Sequence, residues 1–384
     1  MGRLADLTSR AAILVILAAV VLLSLARPAQ AEAEPTTVVV IATHQFITDM
    51  PRGYTPGHLR ALLEQVGPDV IGTEAASNAP HPWESAPLDC RWVTKPWAEE
   101  NGVDIVPIGW SDPQYPSRLE SMFRELRGIG TAAEYERIEQ DFRQRSARIG
   151  STLADLNSAA SRDKWRTYHG RLHELYGRDT PWEVWNEKIV SNALRLCAEH
   201  SGERVAIVFS AAHCYFISDR LAEAPGINLV PTDHYLPVSE GEARAQTLPI
   251  DHLRALRLLN LQNYGSLPEA ALDRLEEHLE AAAEEPAFRN DCRLFRGKLL
   301  LHRGRPGDAA DEFARAAELD GEKVAVFDGK TPLAETARVW CGVAHKMAGN
   351  KRTARRLLRE VVQDTGATRN TRLWAQQELK SLSK

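Results

Sequence analysis

The sequence lacks several features that would place it in a common class of enzyme. It has no glycine loop placed to hold a phosphate, no Cys-x-x-Cys pair and no Gly-x-Ser-x-Gly motif. These absences disfavour nucleotide enzymes and serine hydrolases of the α/β-hydrolase type. The chain also lacks an excess of basic residues, because its formal net charge is -5. A protein that holds nucleic acid without regard to sequence needs a basic face, so we expect no nucleic-acid partner.

Cysteine is scarce, with five among 384 residues. Five cysteines allow disulfides in an exported protein but do not form a dense framework. Cys197 and Cys214 lie in apolar stretches and are interpreted as core thiols. Cys90, Cys292 and Cys341 are candidates for pairing, and the odd count leaves at least one cysteine free.

Long apolar runs are missing except near the N-terminus. Residues 11–26 are apolar and uncharged, and Ala-Gln-Ala at 29–31 is the small-x-small pattern that a signal peptidase cuts. An uncleaved membrane anchor is the alternative, and Pro28 with the neighbouring small residues favours cleavage. The sequence therefore predicts a signal peptide over residues 1–31, a secreted or periplasmic mature protein, and no stable membrane span after cleavage.

Residues 36–240 alternate between strand and helix patterns. Runs of β-branched and other apolar residues predict strands at 37–43, 69–74, 103–108, 204–210 and 227–230. A strand, a helix and a strand so close together form a βαβ unit with parallel strands. The predicted fold class is therefore α/β, a largely parallel sheet flanked by helices with a helical insertion at about 117–200.

Beyond residue 240 the composition shifts to Ala, Leu, Arg and Glu, and the strand pattern disappears. An aromatic residue, two glycines and an alanine recur at equal offsets, as Phe295, Gly297, Gly304 and Ala309 and as Trp340, Gly342, Gly349 and Ala354. Glycine between paired helices, with alanine where they touch, resembles a tetratricopeptide array. We therefore predict an all-α helical-repeat domain over residues 249–384 that can bind a protein partner.

Three polar residues stand where predicted strands end. His44 follows the first strand, Glu74 ends the second, and His213 follows the strand at 204–210. Ligands of an open parallel sheet bind outside the carboxyl ends of its strands, so these side chains are predicted to converge. Two imidazoles and a carboxylate can ligate a divalent metal and activate its water, or share acid and base roles without one.

The segments around these residues resemble the Tiki/TraB superfamily. Thr43-His44 after a strand, then GPDVIGTE ending at Glu74, then RVAIVFSAAHCYFISDRL around His213 carry the similarity over about residues 38–235, without most of the helical middle. The superfamily includes TraB/PrgY proteins, Tiki-type metalloproteases, erythromycin-esterase-like enzymes and ChaN-type haem-binding proteins. The resemblance implies His44, Glu74 and His213 as site residues, and Asn186 in VWNEKIV as the residue that orients the water or the substrate.

Four positions depart from the family pattern. Ile41 and Ser210 replace glycines, Trp185 stands where arginine is usual, and Gly109 stands where aspartate is common. A missing glycine restricts how closely backbone and ligand approach. The lost arginine and aspartate would otherwise orient a substrate or tune a histidine, so an enzyme of altered or lost activity is one alternative.

Three functions therefore stay open. The first is a hydrolase, with or without a divalent metal, in which His44 and His213 are ligands or proton carriers and Glu74 is the base or third ligand. The second is a protein that binds haem or another ligand through the same histidines, as ChaN-type proteins do. The third is an adaptor whose repeat domain binds a partner and whose α/β domain is degenerate.

Two further candidates are weaker on spacing. His169 and His173 are four residues apart on a predicted helix, a spacing that can ligate metal, but no third ligand is expected nearby. Cys214 is adjacent to His213, and neighbouring residues of a strand point to opposite faces. A cysteine–histidine dyad is therefore not expected.

Overall fold

The computed structural model describes residues 34–44, 55–128, 130–149, 152–256, 259, 265, 267–318 and 332–382. The predicted signal peptide lies outside these residues. Within them, every helix is too short or too polar to cross a membrane.

A parallel sheet of five strands forms the centre of the first part of the chain. The strands are β1 (Thr36–Thr43), β2 (Val70–Ala76), β3 (Asp104–Gly109), β4 (Arg204–Ser210) and β5 (Ile227–Val230). Their order is β3-β2-β4-β1-β5, and every neighbouring pair is parallel. The predicted α/β class with a parallel sheet is confirmed. The central strands β1 and β4 are buried along nearly their whole length, which explains their continuous apolar runs.

Helices cover both faces of this sheet and form the insertion. They are α1 (Pro56–Val66), α2 (Lys95–Asn101), α3 (Tyr115–Leu126), α4 (Ala132–Arg148), α5 (Leu153–Asn157), α6 (Ala159–Tyr176), α7 (Pro181–Glu199), α8 (Ala211–Ala222) and α9 (Glu240–Ala245). A π-helical turn at Cys90–Thr94 precedes α2. Alternate residues of β1 enter two core layers, so that Ile41 packs with Leu59 of α1 and Val40 packs with Ile189 of α7.

Local interactions mark both ends of helix α1. The Thr55 side chain accepts the backbone N–H of His58, and Pro56 occupies the first turn. Gly67 ends the helix in the left-handed conformation, with φ of 54°.

The second part of the chain is all α, as predicted. Its helices are α10 (Pro249–Ala255), α11 (Glu269–Glu284), α12 (Arg289–His302), α13 (Pro306–Ala317), α14 (Leu333–Met347), α15 (Lys351–Gln363) and α16 (Arg369–Ser381). Each packs against the next along the chain. A buried ion pair between Arg60 of α1 and Asp251 of α10 joins this part to the α/β part.

The two glycine-containing segments make equivalent helix contacts. A Cβ on Gly297 would lie 2.6 Å from the Phe313 ring, and a Cβ on Gly342 would lie 2.7 Å from Leu358. In both helix pairs, glycine lets a large apolar side chain of the next helix approach the backbone. These contacts fit the repeat seen in the sequence, and membership of the tetratricopeptide family stays a prediction.

All five cysteines are free and buried. The pairing considered for Cys90, Cys292 and Cys341 does not form, because the three side chains lie in separate apolar clusters. Cys197 and Cys214 are core thiols, as interpreted from their apolar surroundings.

Candidate functional site

Glu74 lies in an irregular part of β2, two residues before the strand ends. Thr73 pairs with Pro107 and Ala76 pairs with Gly109, so β2 holds one residue more than β3 over this interval. Such a bulge re-aims the side chain at which it occurs. A Cβ on Gly109 would lie 2.2 Å from the Glu74 carbonyl oxygen. Glycine at position 109 therefore allows β3 to approach the Glu74 backbone.

The Glu74 carboxylate is held between β4 and α8. Its Oε2 accepts the backbone N–H of Ser210 at 2.8 Å, and its Oε1 lies 3.7 Å from Nε2 of His213. Ser210 has φ of -53°, and all described residues with positive φ are glycines. The absence of glycine at Ile41 and Ser210 therefore causes no backbone strain.

His213 is the third residue of α8 and is oriented by Asn186 of α7. Its Nδ1 lies 2.6 Å from the Asn186 amide oxygen. With the Asn186 amide oxygen facing the ring, Nδ1 carries the proton and the lone pair of Nε2 faces Glu74, while the Asn186 amide nitrogen has no hydrogen-bond partner among the described residues. Burial lowers the pKa of His213 to about 3, so the imidazole is neutral at neutral pH.

Two tryptophans of α7 fix the His213 ring. Trp182 stacks on it with centroids 4.2 Å apart and planes inclined by 10°, and Trp185 contacts it edge-on at 5.4 Å. Trp182, Trp185 and Asn186 lie three and four residues apart, so they share one face of the helix. The Trp185 indole N–H also donates to the Trp110 carbonyl at 2.7 Å. Trp185 is thus part of the support for His213.

Glu74 and His213 face each other through two hydrogen-bond acceptors. A separation of 3.7 Å between Oε1 and Nε2 is too long for a direct hydrogen bond, and both atoms are acceptors in the tautomer that Asn186 selects. A water molecule can donate one hydrogen to each of them and direct its lone pairs away.

Asp89 is a fourth polar residue of this neighbourhood, and the sequence reasoning missed it. Its carboxylate accepts the backbone N–H of Cys90 at 2.9 Å and the hydroxyl of Thr43. Burial raises the pKa of Asp89 to about 6. Burial raises the pKa of the Cys90 and Cys214 thiols, and the negative charges of Asp89 and Glu74 raise it further. An aspartate at the start of a helical turn is usually a cap, so its position in the sequence does not point to a role near the site.

His44 is the fourth predicted site residue. It directly follows β1 and is half-buried. Among the described residues, only His173, Asp179 and Glu183 offer three ligand atoms that all lie within 4.8 Å of one another. The side chains of Glu74, His213 and Asn186 come together, whereas His44, Glu74 and His213 as placed do not fit a three-ligand metal centre.

The expectation that His173 has no further ligand nearby is wrong, because the chain turns back at the start of α7. His173 Nδ1 lies 2.9 Å from Oε2 of Glu183. That oxygen also accepts the backbone N–H of Thr180 at 2.7 Å, so Glu183 already serves as a helix cap. His169 points elsewhere, stacked on Trp182, and burial lowers its pKa to about 3.

Cys214 lies on helix α8, so its interpretation as a strand residue is wrong. The apolar run that predicted a strand stops at Ser210, where α8 begins. The Cys214 sulfur is 3.4 Å from the Ser210 carbonyl oxygen. Burial raises the pKa of this thiol well above its usual value, so it stays protonated and a nucleophilic role is disfavoured.

A cleft of about 510 Å³ opens at the carboxyl end of the sheet beside Glu74. Its walls include Trp110, Tyr115 and Trp185, and Asp112 adds a second carboxylate. Lysine and arginine do not occur among its lining residues. The cleft therefore favours neutral or cationic substrates with apolar surface over anionic ones.

Comparison with known proteins does not add to this description. No protein-family model, no curated protein and no solved structure matches the chain. The geometry of the site is therefore the basis for inferring function.

Proposed function

We propose that the protein is a hydrolase in which Glu74 and His213 activate a water molecule at the inner end of the cleft. The observation that carries the proposal is the pair of facing acceptors, Glu74 Oε1 and His213 Nε2, 3.7 Å apart. The site stands where ligands of an open parallel sheet bind. Tiki/TraB resemblance adds support, because Glu74, His213 and Asn186 are three of the four positions that it implies.

The roles of the two side chains follow from their surroundings. His213 is a weak base because burial lowers its pKa to about 3, so it orients the water through Nε2 without taking its proton. Glu74 takes the proton as the water oxygen forms a bond to the electrophilic carbon of the substrate. The carboxylic acid then returns that proton to the leaving group as the scissile bond breaks.

The supporting residues keep this arrangement fixed. Asn186 holds the proton of His213 on Nδ1, and a change of tautomer would make Nε2 a donor that can no longer accept a hydrogen from the water. Trp182 and Trp185 leave the ring no freedom to turn. Asn186 and the two tryptophans are therefore positioning residues.

The alternative of haem binding is less compatible with this geometry. The His213 side chain is 2 % exposed, and its Nε2 faces the Glu74 carboxylate. A haem iron would need that nitrogen to be open to a wide, flat ring. The Glu74 side chain stands in the way, so the site suits a small polar group better than a porphyrin.

We further propose, from the sequence, that the protein is exported after removal of residues 1–31 and that its helical part binds a protein partner. Sequencing the N-terminus of the protein recovered from outside the cytoplasm tests the first proposal. A mature N-terminus at residue 32 supports it, and an intact N-terminus would contradict it.

The hydrolase proposal is tested with a panel of chromogenic esters, anilides and glycosides. We expect the wild-type protein to hydrolyse at least one class and Glu74→Gln to lose about 100-fold or more of that rate. Glu74→Gln preserves the shape of the side chain, and Glu100→Gln, the same change at an exposed residue of α2, is the matched control. Equal loss in both variants, or full activity in Glu74→Gln, would contradict the assignment.

A further inference from the structure

Helix α15 carries four arginines on one side, Arg352, Arg355, Arg356 and Arg359, which we call the arginine stripe. All four are exposed, and spacings of three, four and seven residues place them along one face of a helix. They line an open groove of about 590 Å³. The opposite face of α15 is apolar and packs in the core of the helical part through Ala354, Leu358 and Val361.

Most of the charge of the stripe is not neutralised within the part of the chain described. Arg356 pairs with Glu360 at 2.8 Å, and Arg355 donates to the carbonyl oxygen of Leu382 at 3.1 Å. Arg352 and Arg359 form neither an ion pair nor a hydrogen bond with any described residue. Their guanidinium groups are therefore available to an external anion.

The charge of this region is opposite to that of the whole protein. Residues 351–382 contain eight lysines and arginines and three acidic residues, while the chain has a net charge of -5. Like charges three and four residues apart destabilise a helix. The stripe thus costs stability in the isolated chain, and an anionic partner would offset that cost.

We propose that the arginine stripe docks an acidic segment of a partner protein. This inference rests on the proposal that the helical part binds a protein, and it names the chemistry of the partner. Arginine presents a planar fork that pairs with a carboxylate through two hydrogen bonds. The stripe spans the eight residues from Arg352 to Arg359, a rise of about 10 Å along the helix, and an extended acidic segment of about four residues covers that length.

A membrane surface fits the stripe less well than a protein does. Helices that lie on membranes bury an apolar face in the lipid beneath a basic face. The apolar face of α15 is already buried in the protein, since Ala354 and Leu358 are fully covered. Only electrostatic attraction is left for an external partner, and this suits an acidic chain segment.

The test is fluorescence anisotropy of the full chain with a fluorescein-labelled peptide of alternating Glu and Ser. The charge-reversal variant is Arg352→Glu/Arg359→Glu, which breaks no ion pair of the described structure. The matched control is Arg143→Glu/Arg148→Glu on α4, whose two arginines are also exposed and whose net charge change is the same. Circular dichroism checks that each variant is folded, and Glu74→Gln is included to separate docking from hydrolysis.

We expect the wild-type chain and Glu74→Gln to bind the peptide equally, and binding to weaken as salt rises. The stripe variant should lose about tenfold or more in affinity, and the control should change by less than about twofold. No binding by the wild-type chain at low salt, or equal loss in stripe and control variants, would overturn the proposal.

Two further measurements show whether a membrane or a second copy of the chain binds the arginine stripe instead. Vesicles of phosphatidylglycerol that bind the wild-type chain and not the stripe variant, in the absence of peptide binding, would assign the surface to a membrane and overturn the proposal. Sedimentation that shows a wild-type dimer dissociating in the stripe variant, again without peptide binding, would assign it to a second copy. Because hydrolysis is measured separately with Glu74→Gln, failure here leaves the proposed activity intact.

Discussion

The Nδ1 atom of His213 lies 2.6 Å from the amide oxygen of Asn186. This contact determines which imidazole nitrogen carries the proton. It therefore also determines whether Nε2, which faces Glu74, accepts or donates a hydrogen bond. If the proton were on Nε2 instead, the N–H would point at the carboxylate and Nε2 could no longer accept a hydrogen from a water.

The tautomer of His213 can be observed directly by ¹⁵N NMR of histidine-labelled protein, with His213→Asn used to assign the signal. Because burial lowers the pKa of His213 to about 3, we expect a neutral ring protonated on Nδ1 throughout pH 5–8. Asn186→Ala should redistribute the proton between the two nitrogens. A titration with a midpoint near 6.5, or a proton on Nε2 in the wild-type protein, would contradict the proposed roles.

The raised pKa of Asp89 predicts how the stability of the protein changes with pH. Burial raises the pKa of Asp89 to about 6 from an unfolded value of 3.8, so between these two values the folded state binds the proton and the unfolded state does not. The contribution of Asp89 to stability is therefore fully present below about pH 4 and is lost as pH rises to about 6. Replacement by asparagine removes this loss.

Denaturant unfolding at pH 4 and pH 7 measures the effect. Relative to wild type, Asp89→Asn should gain on the order of 2–3 kcal/mol between the two pH values. Asp308→Asn, an exposed residue of α13, is the control and should show little change. An unchanged difference between Asp89→Asn and wild type across this range would show that Asp89 is ionised normally in the folded protein.

Gly109 and Gly170 give a matched pair of substitutions. An alanine at position 109 would bring its Cβ to 2.2 Å from the Glu74 carbonyl oxygen, while a Cβ at position 170 has no neighbour within 4 Å. Gly109→Ala should lower the free energy of unfolding by about 1–3 kcal/mol and displace Glu74, with loss of activity. Gly170→Ala in helix α6 should raise it by up to about 1 kcal/mol. Equal tolerance of both changes would mean that β3 does not constrain Glu74.

The expected ligand set is tested by metal analysis of the purified protein and a His44→Ala variant. Because the ligand atoms of His44, Glu74 and His213 do not all lie within 4.8 Å of one another, we expect both proteins to contain the same amount of metal. If the wild-type protein contains one equivalent of metal and His44→Ala contains none, this expectation is wrong. His44, Glu74 and His213 would then be ligands of one metal ion.

The strands were predictable because their cause is local. β1 and β4 are buried on both faces, and continuous runs such as TVVVIAT and VAIVF carry that information in a few consecutive residues. Thr55 and Gly67 likewise mark the ends of α1 by interactions within one turn. The convergence of Glu74 and His213 followed from parallel strands alone, because such strands bring their carboxyl ends to one edge.

Other features depend on contacts between distant segments and leave no local mark. The bulge at Glu74 is defined by the pairing of β2 with β3. The requirement for glycine at position 109 comes from the close approach of the same two strands. Trp182 stacks on the ring of His213, which is 31 positions later in the sequence. Asp89 accepts a hydrogen bond from the hydroxyl of Thr43, which lies 46 positions earlier. The helix that contains Cys214 was missed because the few apolar residues after Ser210 form too short a run to distinguish a strand from a helix by periodicity.

The most direct test of the central claim is a double-mutant cycle on whichever substrate class the wild-type protein hydrolyses. If Glu74 and His213 hold one water together, Glu74→Gln and His213→Asn should each lower kcat/KM by about 100-fold or more, and the double variant should be no slower than the slower single variant. Losses that multiply in the double variant, or either single variant with the wild-type rate, would show that the two residues do not act as one site.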